Sequence, residues 1–362
     1  MRQYYKAEYQ VYKGDIITIK PFSDVAINWG DGHITDIAVG NLSIVNHYEH
    51  DGIITLFIEP HKDREFFGIE IKTTHEGLLS AEYVLSPLAT APISIFRHSS
   101  TLKKVTVSNC YSVKDFSLMF AGCRALEYAE VDSYGGENFE RMFLLCENLS
   151  HVKVKLPKST SNVDYMFRHC DKLTTVDDST VIDYLPDLTS IKGMFESCHL
   201  LTYVPFLNTP KCTDFSYVFA DCKSLKNHNG IVDGAGINFM YMFENCTSLE
   251  TIDPDYNESW YSEGGCFTGM FKGCTSLKEI PDIKIPKAKD ARGMFEDCSN
   301  LISCDSICIG QYTDVTDMFK NSTAKSPIFT KCNAAEPYVI KNNLLVPKRV
   351  NILAKLLSWW FH

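Results

Sequence analysis

The sequence lacks the features that define several large functional classes. It contains no GxSxG, HExxH, P-loop or GxGxxG motif, so no local signal supports a hydrolase, a metalloprotease or a nucleotide-binding enzyme. Cations are in the minority, since 35 Lys and Arg residues stand against 45 Asp and Glu, and the formal net charge is −10. Binding to a nucleic-acid backbone requires clustered Lys and Arg, so this balance argues against it.

Long apolar runs are also missing. No stretch of about 18 apolar residues occurs, so the sequence predicts no membrane span. The N-terminal region holds no apolar segment of signal-peptide length, and no lipid-anchor cysteine follows one. If Met1 is the true start, we expect no export through a standard N-terminal signal.

The sequence does contain a strong internal repeat. A phrase of the form MFxxCxxL, such as MFKGCTSL (270–277), recurs along most of the chain. The phenylalanines of its eight regular copies are Phe120, Phe143, Phe167, Phe195, Phe219, Phe243, Phe271 and Phe295. Their spacings are 23, 24, 28, 24, 24, 28 and 24 residues, which is the signature of a repeat architecture. Weaker copies at 95–102 and 318–325 carry serine in place of cysteine, as terminal repeats often deviate.

Each of these ten units has two parts. Met, Cys and Leu at offsets 0, 4 and 7 predict one face of a short helix or helical turn. The residues after Leu alternate, as in LKKVTV (102–107) and LSHVKV (149–154), which predicts a short strand with one buried face. A unit of this length has the size of a leucine-rich-repeat coil and cannot bury enough apolar surface alone. We therefore expect a stack of coils.

Fourteen cysteines occur in the chain. We expect the eight within the repeat phrase to be buried free thiols, because cysteine is small, apolar and often fully buried; disulfides and metal ligation are the alternatives. Cys304 and Cys308 have CxxxC spacing, unlike the CxxC pairs typical of zinc sites. His169 and Cys170 are adjacent in sequence, which does not make a catalytic pair. We predict no enzyme activity, no metal and no cofactor.

The repeat phrase, with its 24-residue period, resembles the leucine-rich repeats of BspA-like bacterial surface proteins. The resemblance extends from about Ile95 to about Lys325. It implies a right-handed solenoid of short parallel strands and helical turns. It also implies a non-enzymatic role in binding proteins, matrix or host surfaces.

A second resemblance lies upstream of the repeats. VAINWGDGHITDI (25–37) and VNHYEHDGIITLFI (45–58) are similar to the immunoglobulin-like PKD module, which has an aromatic-Gly-Asp-Gly turn and a later His-x-Tyr. The residues themselves, alternating runs bounded by Gly and Asp turns, predict a small β-sandwich. Asp31 is expected to form a hairpin turn with Gly32 rather than to bind calcium.

The predicted fold is therefore mainly β with short helices. We expect a PKD-like β-sandwich at 1–76, a linker or N-terminal cap at 77–94, and a leucine-rich-repeat solenoid of about ten 24–28-residue units at 95–332. A C-terminal helix is expected within 333–362, because apolar residues from Val350 to Phe361 form a helical stripe. This helix either caps the last coil or docks a partner, and the second option includes a homo-oligomer.

Candidate ligand contacts are sought at positions that the repeat leaves variable. The two residues after each repeat leucine are expected to face outward, and one of the two longer units adds loop aromatics, which are favoured in binding sites. The alternative is a solvated strand face and a loop packed on the solenoid. The candidate residues are Tyr128, Tyr203, Tyr256, Trp260, Tyr261, Lys278 and Glu279.

The function expected from these observations is recognition and adhesion without catalysis. The ligand is a protein or a glycan on a cell surface, with no nucleic acid and no membrane span involved. The alternative is a structural or tail-associated receptor-binding protein of a phage virion, which needs no export signal. The location is accordingly either the cell surface, by the resemblance, or a virion.

Overall fold

A computed structural model describes most of the chain. The described residues are 2–38, 42–61, 64–89, 96–176, 184–204, 207–227, 231–232, 236–252, 265–280, 283–304, 306–310, 313–324, 328–331, 337–341 and 344–347. The regular elements within them are strands, and none of these residues lies in an α-helix.

The first eight strands form two sheets. They are β1 Tyr4–Val11, β2 Ile16–Pro21, β3 Val25–Asn28, β4 Ile34–Ala38, β5 Ile44–His47, β6 Gly52–Pro60, β7 Ile69–Thr73 and β8 Leu78–Val84. One sheet has the order β5-β2-β7, and the other contains β4, β3, β6, β1 and β8. Alternate residues of each strand point into a shared core, where Tyr5, Ile19 and Leu56 are fully buried.

The two segments that resemble a PKD module lie against each other. Trp29 is buried at the β3–β4 turn, and its carbonyl accepts a hydrogen bond from the Tyr48 hydroxyl at 3.0 Å. The Asn46 side chain donates to Asp31 at 2.7 Å. Asp31 also accepts the main-chain N–H of His33 at 2.9 Å, so its carboxylate serves the turn.

The larger sheet continues from this module into the solenoid. The first coils contribute β9 Lys104–Ser108, β10 Tyr128–Val131 and β11 His151–Val154. β8 pairs antiparallel with β1 and parallel with β9, giving one eight-stranded sheet of order β11-β10-β9-β8-β1-β6-β3-β4. Residues 77–94 thus include a strand that is paired on both sides and covers the open edge of the first coil.

Shorter strands continue the solenoid. They are β12 Leu207–Asn208, β13 Ile231–Val232, β14 Glu279–Ile280, β15 Ile283–Ile285, β16 Ser303–Cys304, β17 Ser306–Ile309, β18 Ile328–Lys331, β19 Pro337–Lys341 and β20 Leu344–Pro347. β12 pairs with β13, β14 with β16, and the last sheet has the order β15-β17-β18-β19-β20. In other coils the strand shortens to a single parallel bridge, such as Thr175 with Tyr203 and Asn227 with Thr251.

The helical turns predicted for the MFxxC segments are wrong, because these segments are successions of tight turns. Around Phe243, the residues two positions before and after it, Tyr241 and Asn245, have φ of 54° and 58°. Their N–H groups and that of Phe243 donate to carbonyls in the next coil at 2.7–2.9 Å. A left-handed residue at every fourth position breaks the i→i−4 pattern of an α-helix, so these hydrogen bonds join neighbouring coils instead.

An Asp, Asn or Ser side chain commonly starts each of these turns. In one coil Asp214 accepts the N–H of Ser216 at 2.9 Å, which is an Asx-turn. Asp214 also forms parallel bridges with Ser190 and Asn238 in the neighbouring coils. The coils are therefore joined along a second line, apart from the line of strands.

The prediction of a buried cysteine row is confirmed. All eight repeat cysteines are free and fully buried, and each Sγ donates to the carbonyl of the stacked phenylalanine in the preceding coil at 2.8–3.3 Å. Beside them ten phenylalanines, from Phe96 to Phe319, form one stack with ring centroids 5.2–5.8 Å apart. Cys308, outside this row, is disulfide-bonded.

The predicted C-terminal helix is also wrong in the part that the structure describes. Pro337–Lys341 and Leu344–Pro347 form an antiparallel hairpin, β19–β20, that pairs with β18. The last strand of a solenoid exposes unpaired N–H and C=O groups, and the hairpin continues the sheet beyond it. Residues 348–362, which contain the apolar stripe on which this prediction is based, lie outside the described residues.

Candidate ligand-binding face

A line of outward-facing residues runs along the solenoid, eight positions after each stacked phenylalanine. We call it the outer row, and its members are Lys104, Tyr128, His151, Thr175, Tyr203, Asn227, Thr251 and Glu279. From Lys104 to Glu279 these side chains are exposed or half-buried, and the next residue, as at Val105 or Ala129, points into the core. The exposed side chains of the row therefore differ from coil to coil, while the strand positions that hold them stay the same.

Tyr128 is held in place by its strand neighbours. Its hydroxyl donates to Glu130 at 2.7 Å, and the Lys104 Nζ lies 5.2 Å from its ring centroid. The hydrogen bond to Glu130 raises the pKa of the Tyr128 hydroxyl, while the hydrogen bond from Lys153 lowers the pKa of Glu130. Such a side chain loses little conformational entropy when a ligand contacts it.

The structure does not bring the other described candidates to the same place. Tyr203 is 43% exposed and lies three coils from Tyr128, and Glu279 lies three coils further along. At about 4.8 Å per coil, each interval is about 14 Å. Lys278 makes an exposed ion pair of 3.9 Å with Glu250, which contributes little to stability. These residues fit an extended ligand rather than a compact one.

The three loop aromatics predicted as contacts, Tyr256, Trp260 and Tyr261, lie outside the described residues. Their role in binding therefore stays a prediction.

Sequence reasoning missed the part of this face that the N-terminal module contributes. Outward residues of β1 and β8 align with the first solenoid strand, because Glu8 pairs with Ser80 and Ser80 with Lys104. Lys6 and Glu82 form the adjacent line. The alternation in YYKAEYQV and LLSAEYV predicts strands with an outward face, but nothing in it predicts their pairing with the repeats.

The described residues offer no other obvious chemistry. They include no group of three or more His, Cys, Asp or Glu side chains arranged to hold a metal ion. Within the same residues, no helix has the length and apolar character needed to cross a membrane. A polar, mixed-charge face therefore remains as the candidate site.

Two family comparisons cover the repeats. The family described as BspA type leucine-rich repeat region matches residues 86–188 in six copies. The family described as Mycoplasma protein of unknown function, DUF285, matches residues 161–263 and 237–331. These matches support the assignment of the repeats to the leucine-rich-repeat family. Over residues 86–188 the repeats of this chain are of the BspA type. No curated protein matches the chain.

Three solved structures of leucine-rich repeat proteins are similar to this chain. A leucine-rich repeat protein from Bacteroides ovatus is 14% identical, with 71% of this chain and 77% of that one covered and a TM-score of 0.37. A leucine rich cell surface protein from Faecalibacterium prausnitzii is 16% identical, with coverage of 71% and 91% and a TM-score of 0.28. A leucine-rich repeat protein from Eubacterium ventriosum is 12% identical, with coverage of 78% and 96% and a TM-score of 0.28. With TM-scores this low, the assignment of the repeats rests on the family matches.

Proposed function

We propose that this protein is a non-enzymatic recognition protein that binds a protein ligand through the outer row of its solenoid. The observation that carries the proposal is the outer row itself. Its members change from coil to coil in charge, hydroxyl and aromatic character, while the residues behind them form a uniform core. A uniform frame with a variable exposed line suits recognition of an extended surface.

The charge pattern supports a polar protein partner. Along the row and the residues just before it, cations and carboxylates alternate, as at Glu250, Lys278 and Glu279. Exposed pairs of this kind contribute little to folding but set the orientation and association rate of a partner. Tyr203 supplies an exposed aromatic of the type that dominates interface energies.

The proposal is tested by binding the intact protein to an array of purified extracellular and cell-surface proteins. For any protein bound, we expect the Kd to rise at least tenfold in a triple variant that carries Tyr203→Ala, Lys278→Glu and Glu279→Ala. The control is Lys223→Glu, the same charge reversal at an exposed turn position. Equal affinity of the triple variant and the unaltered protein for every bound protein contradicts the proposal.

Three finer assignments belong to the same proposal. Adhesion at a cell surface and a PKD-like character of the N-terminal module are supported by the sequence resemblances, and the module's two-sheet arrangement is compatible with the second. Absence of catalysis is supported by the absence of catalytic motifs from the sequence. Neither family match supports the virion alternative, and we do not propose it.

A further inference from the structure

A shallow depression lies where the N-terminal module meets the solenoid. It opens on the outward face of the shared sheet, above β1, β8 and β9, and has a volume of about 230 Å³. Its rim and floor are formed by the side chains of Lys6, Glu8, Ser80, Glu82, Lys104 and Thr106. Small side chains at Ser80 and Thr106 create the space, and longer charged ones surround it.

The lining has no net charge and offers both kinds of hydrogen-bonding group. Lys6 and Lys104 provide ammonium donors, and Glu8 and Glu82 provide carboxylate acceptors, all four exposed. The two carboxylates are already oriented by hydrogen bonds, since Ser80 donates to Glu8 at 3.0 Å and Tyr4 donates to Glu82. An anionic or cationic ligand would meet as much repulsion as attraction here.

The volume also limits the occupant. It is several times the about 30 Å³ of one liquid water, and it lies below the about 300 Å³ where sites for drug-sized molecules begin. A ring of vicinal hydroxyl groups matches this space, because each hydroxyl both donates and accepts. Tyr128 adds an aromatic ring next to Lys104 on the adjoining strand.

We propose that this depression binds one neutral hexose or N-acetylhexosamine residue of a glycan, using side chains from the module and the first coil together. The inference rests on the proposed recognition function and extends it to a second ligand class at the N-terminal end of the same face, where Lys104 belongs to both. The module is thereby part of the binding surface and not only a cap for the solenoid.

The test is saturation-transfer NMR on the intact protein with lactose, cellobiose and diacetylchitobiose, and with sialyllactose as the charged comparison. We expect transfer to at least one neutral disaccharide. Ser80→Arg, which fills the depression, should weaken that binding at least tenfold. Thr174→Arg, the same change at an exposed position of the solenoid three coils beyond Lys104, should leave it unchanged. Lys104→Met, which keeps the side-chain length, provides a second loss-of-binding variant if Ser80→Arg unfolds.

Three outcomes overturn the inference. They are transfer to none of the neutral sugars, transfer to sialyllactose alone, and equal transfer in Ser80→Arg or, if that variant unfolds, in Lys104→Met. Failure here leaves the proposed function intact if the triple variant, Tyr203→Ala, Lys278→Glu and Glu279→Ala, still loses protein binding. Loss of protein binding in Ser80→Arg without any sugar binding assigns the depression to the protein partner instead.

Discussion

Each repeat cysteine packs and donates a hydrogen bond at the same time. Its Sγ is buried against the phenylalanine stack and donates to a main-chain carbonyl of the preceding coil, as Cys246 does to Phe219 at 3.0 Å. Alanine fills less space and has no donor, while valine and leucine are larger and have none either. In the last copy of the phrase the half-buried Ser322 donates to the Cys298 carbonyl at 3.2 Å, a different acceptor from the phenylalanine carbonyls that the cysteines use.

Replacing one row cysteine tests this double role. We expect Cys246→Ala to lower the free energy of unfolding by about 1–2 kcal/mol, through the small cavity and the lost hydrogen bond. Cys266 is only half-buried and lies outside the row, so Cys266→Ala should stay within about 0.5 kcal/mol. Urea denaturation of both variants measures the difference. Equal midpoints for the two variants would contradict a structural role specific to the row.

The row also predicts loss of stability at high pH. Burial raises the pKa of Cys123 and Cys298 to about 12, and it raises the pKa of every other thiol in the row. An unfolded thiol titrates near pH 8.5. Above that pH the unfolded chain releases protons that the folded chain keeps. The contribution of the thiols to the free energy of unfolding is therefore complete below about pH 8.5, and it is lost as the pH rises towards 12.

The size of this effect is about 2 kcal/mol per thiol at pH 10, since each pH unit above 8.5 contributes about 1.4 kcal/mol. We expect the urea midpoint to be flat from pH 7 to 8 and to fall steeply between pH 9 and 10.5. The double variant Cys222→Ala and Cys246→Ala should show a smaller fall. An identical pH dependence in both proteins would mean that other groups are responsible.

At the scale of the element, the recurring unit is a set of turns that hydrogen-bonds to its neighbours. Left-handed residues lie two positions before and two positions after each stacked phenylalanine from Phe120 to Phe319, and glycine occupies some of these positions. Gly193 has φ of 57°, and a Cβ placed there would lie 2.4 Å from the ring of Tyr165. That ring is surrounded by Arg141, Arg168 and Lys192 at 5.3–5.8 Å, so it has little freedom to move.

Gly193→Ala should therefore destabilise the protein for two reasons. The left-handed conformation costs an alanine roughly 1–2 kcal/mol, and displacing the Tyr165 ring adds about 1–3 kcal/mol. Gly14→Ala is the matched control, because Gly14 also has positive φ, of 91°, but a Cβ added there would have nothing within 4 Å. Thermal and urea unfolding of both variants separate the two contributions, because Gly14→Ala measures the cost of the left-handed conformation and the additional loss in Gly193→Ala measures the displacement of the ring. A loss for Gly193→Ala no larger than that for Gly14→Ala would remove the role assigned to the ring.

The same element shows what the sequence could and could not predict. The inward face was predictable, because the spacing of Met242, Cys246 and Leu249 reflects burial and all three are fully buried. The backbone conformation was not predictable in the same way. An offset pattern of 0, 4 and 7 fits a helix, but it also fits a chain that makes two tight turns. A usable signal was present two positions after the phenylalanine, where Asn245 and Gly273 tolerate left-handed conformations better than most residues.

At the scale of the whole molecule, the module and the solenoid form one sheet. β8 is hydrogen-bonded to β1 on one side and to β9 on the other, so the first coil does not end in an unpaired strand. The sequence predicted strands in both parts but placed a linker or cap at 77–94, because alternation does not specify a partner strand. The same holds for the candidate site. The outer row could be predicted from the repeats, whereas the contribution of Glu8 and Ser80 follows only from the pairing of β1, β8 and β9 in the structure.

If the two parts are one sheet, β8 should be as well protected as its neighbours. We expect amide hydrogen exchange of Leu78–Val84 to be as slow as that of Lys104–Ser108, whereas an exposed linker would exchange at once. Glu82→Pro, which removes an N–H from the middle of β8, should speed exchange in both β1 and β9. Glu82→Ala, which removes only the exposed side chain, is the control and should change neither. Fast exchange of β8 between a protected module and a protected solenoid would mean that the two parts are independent, and the composite binding face would lose its physical basis.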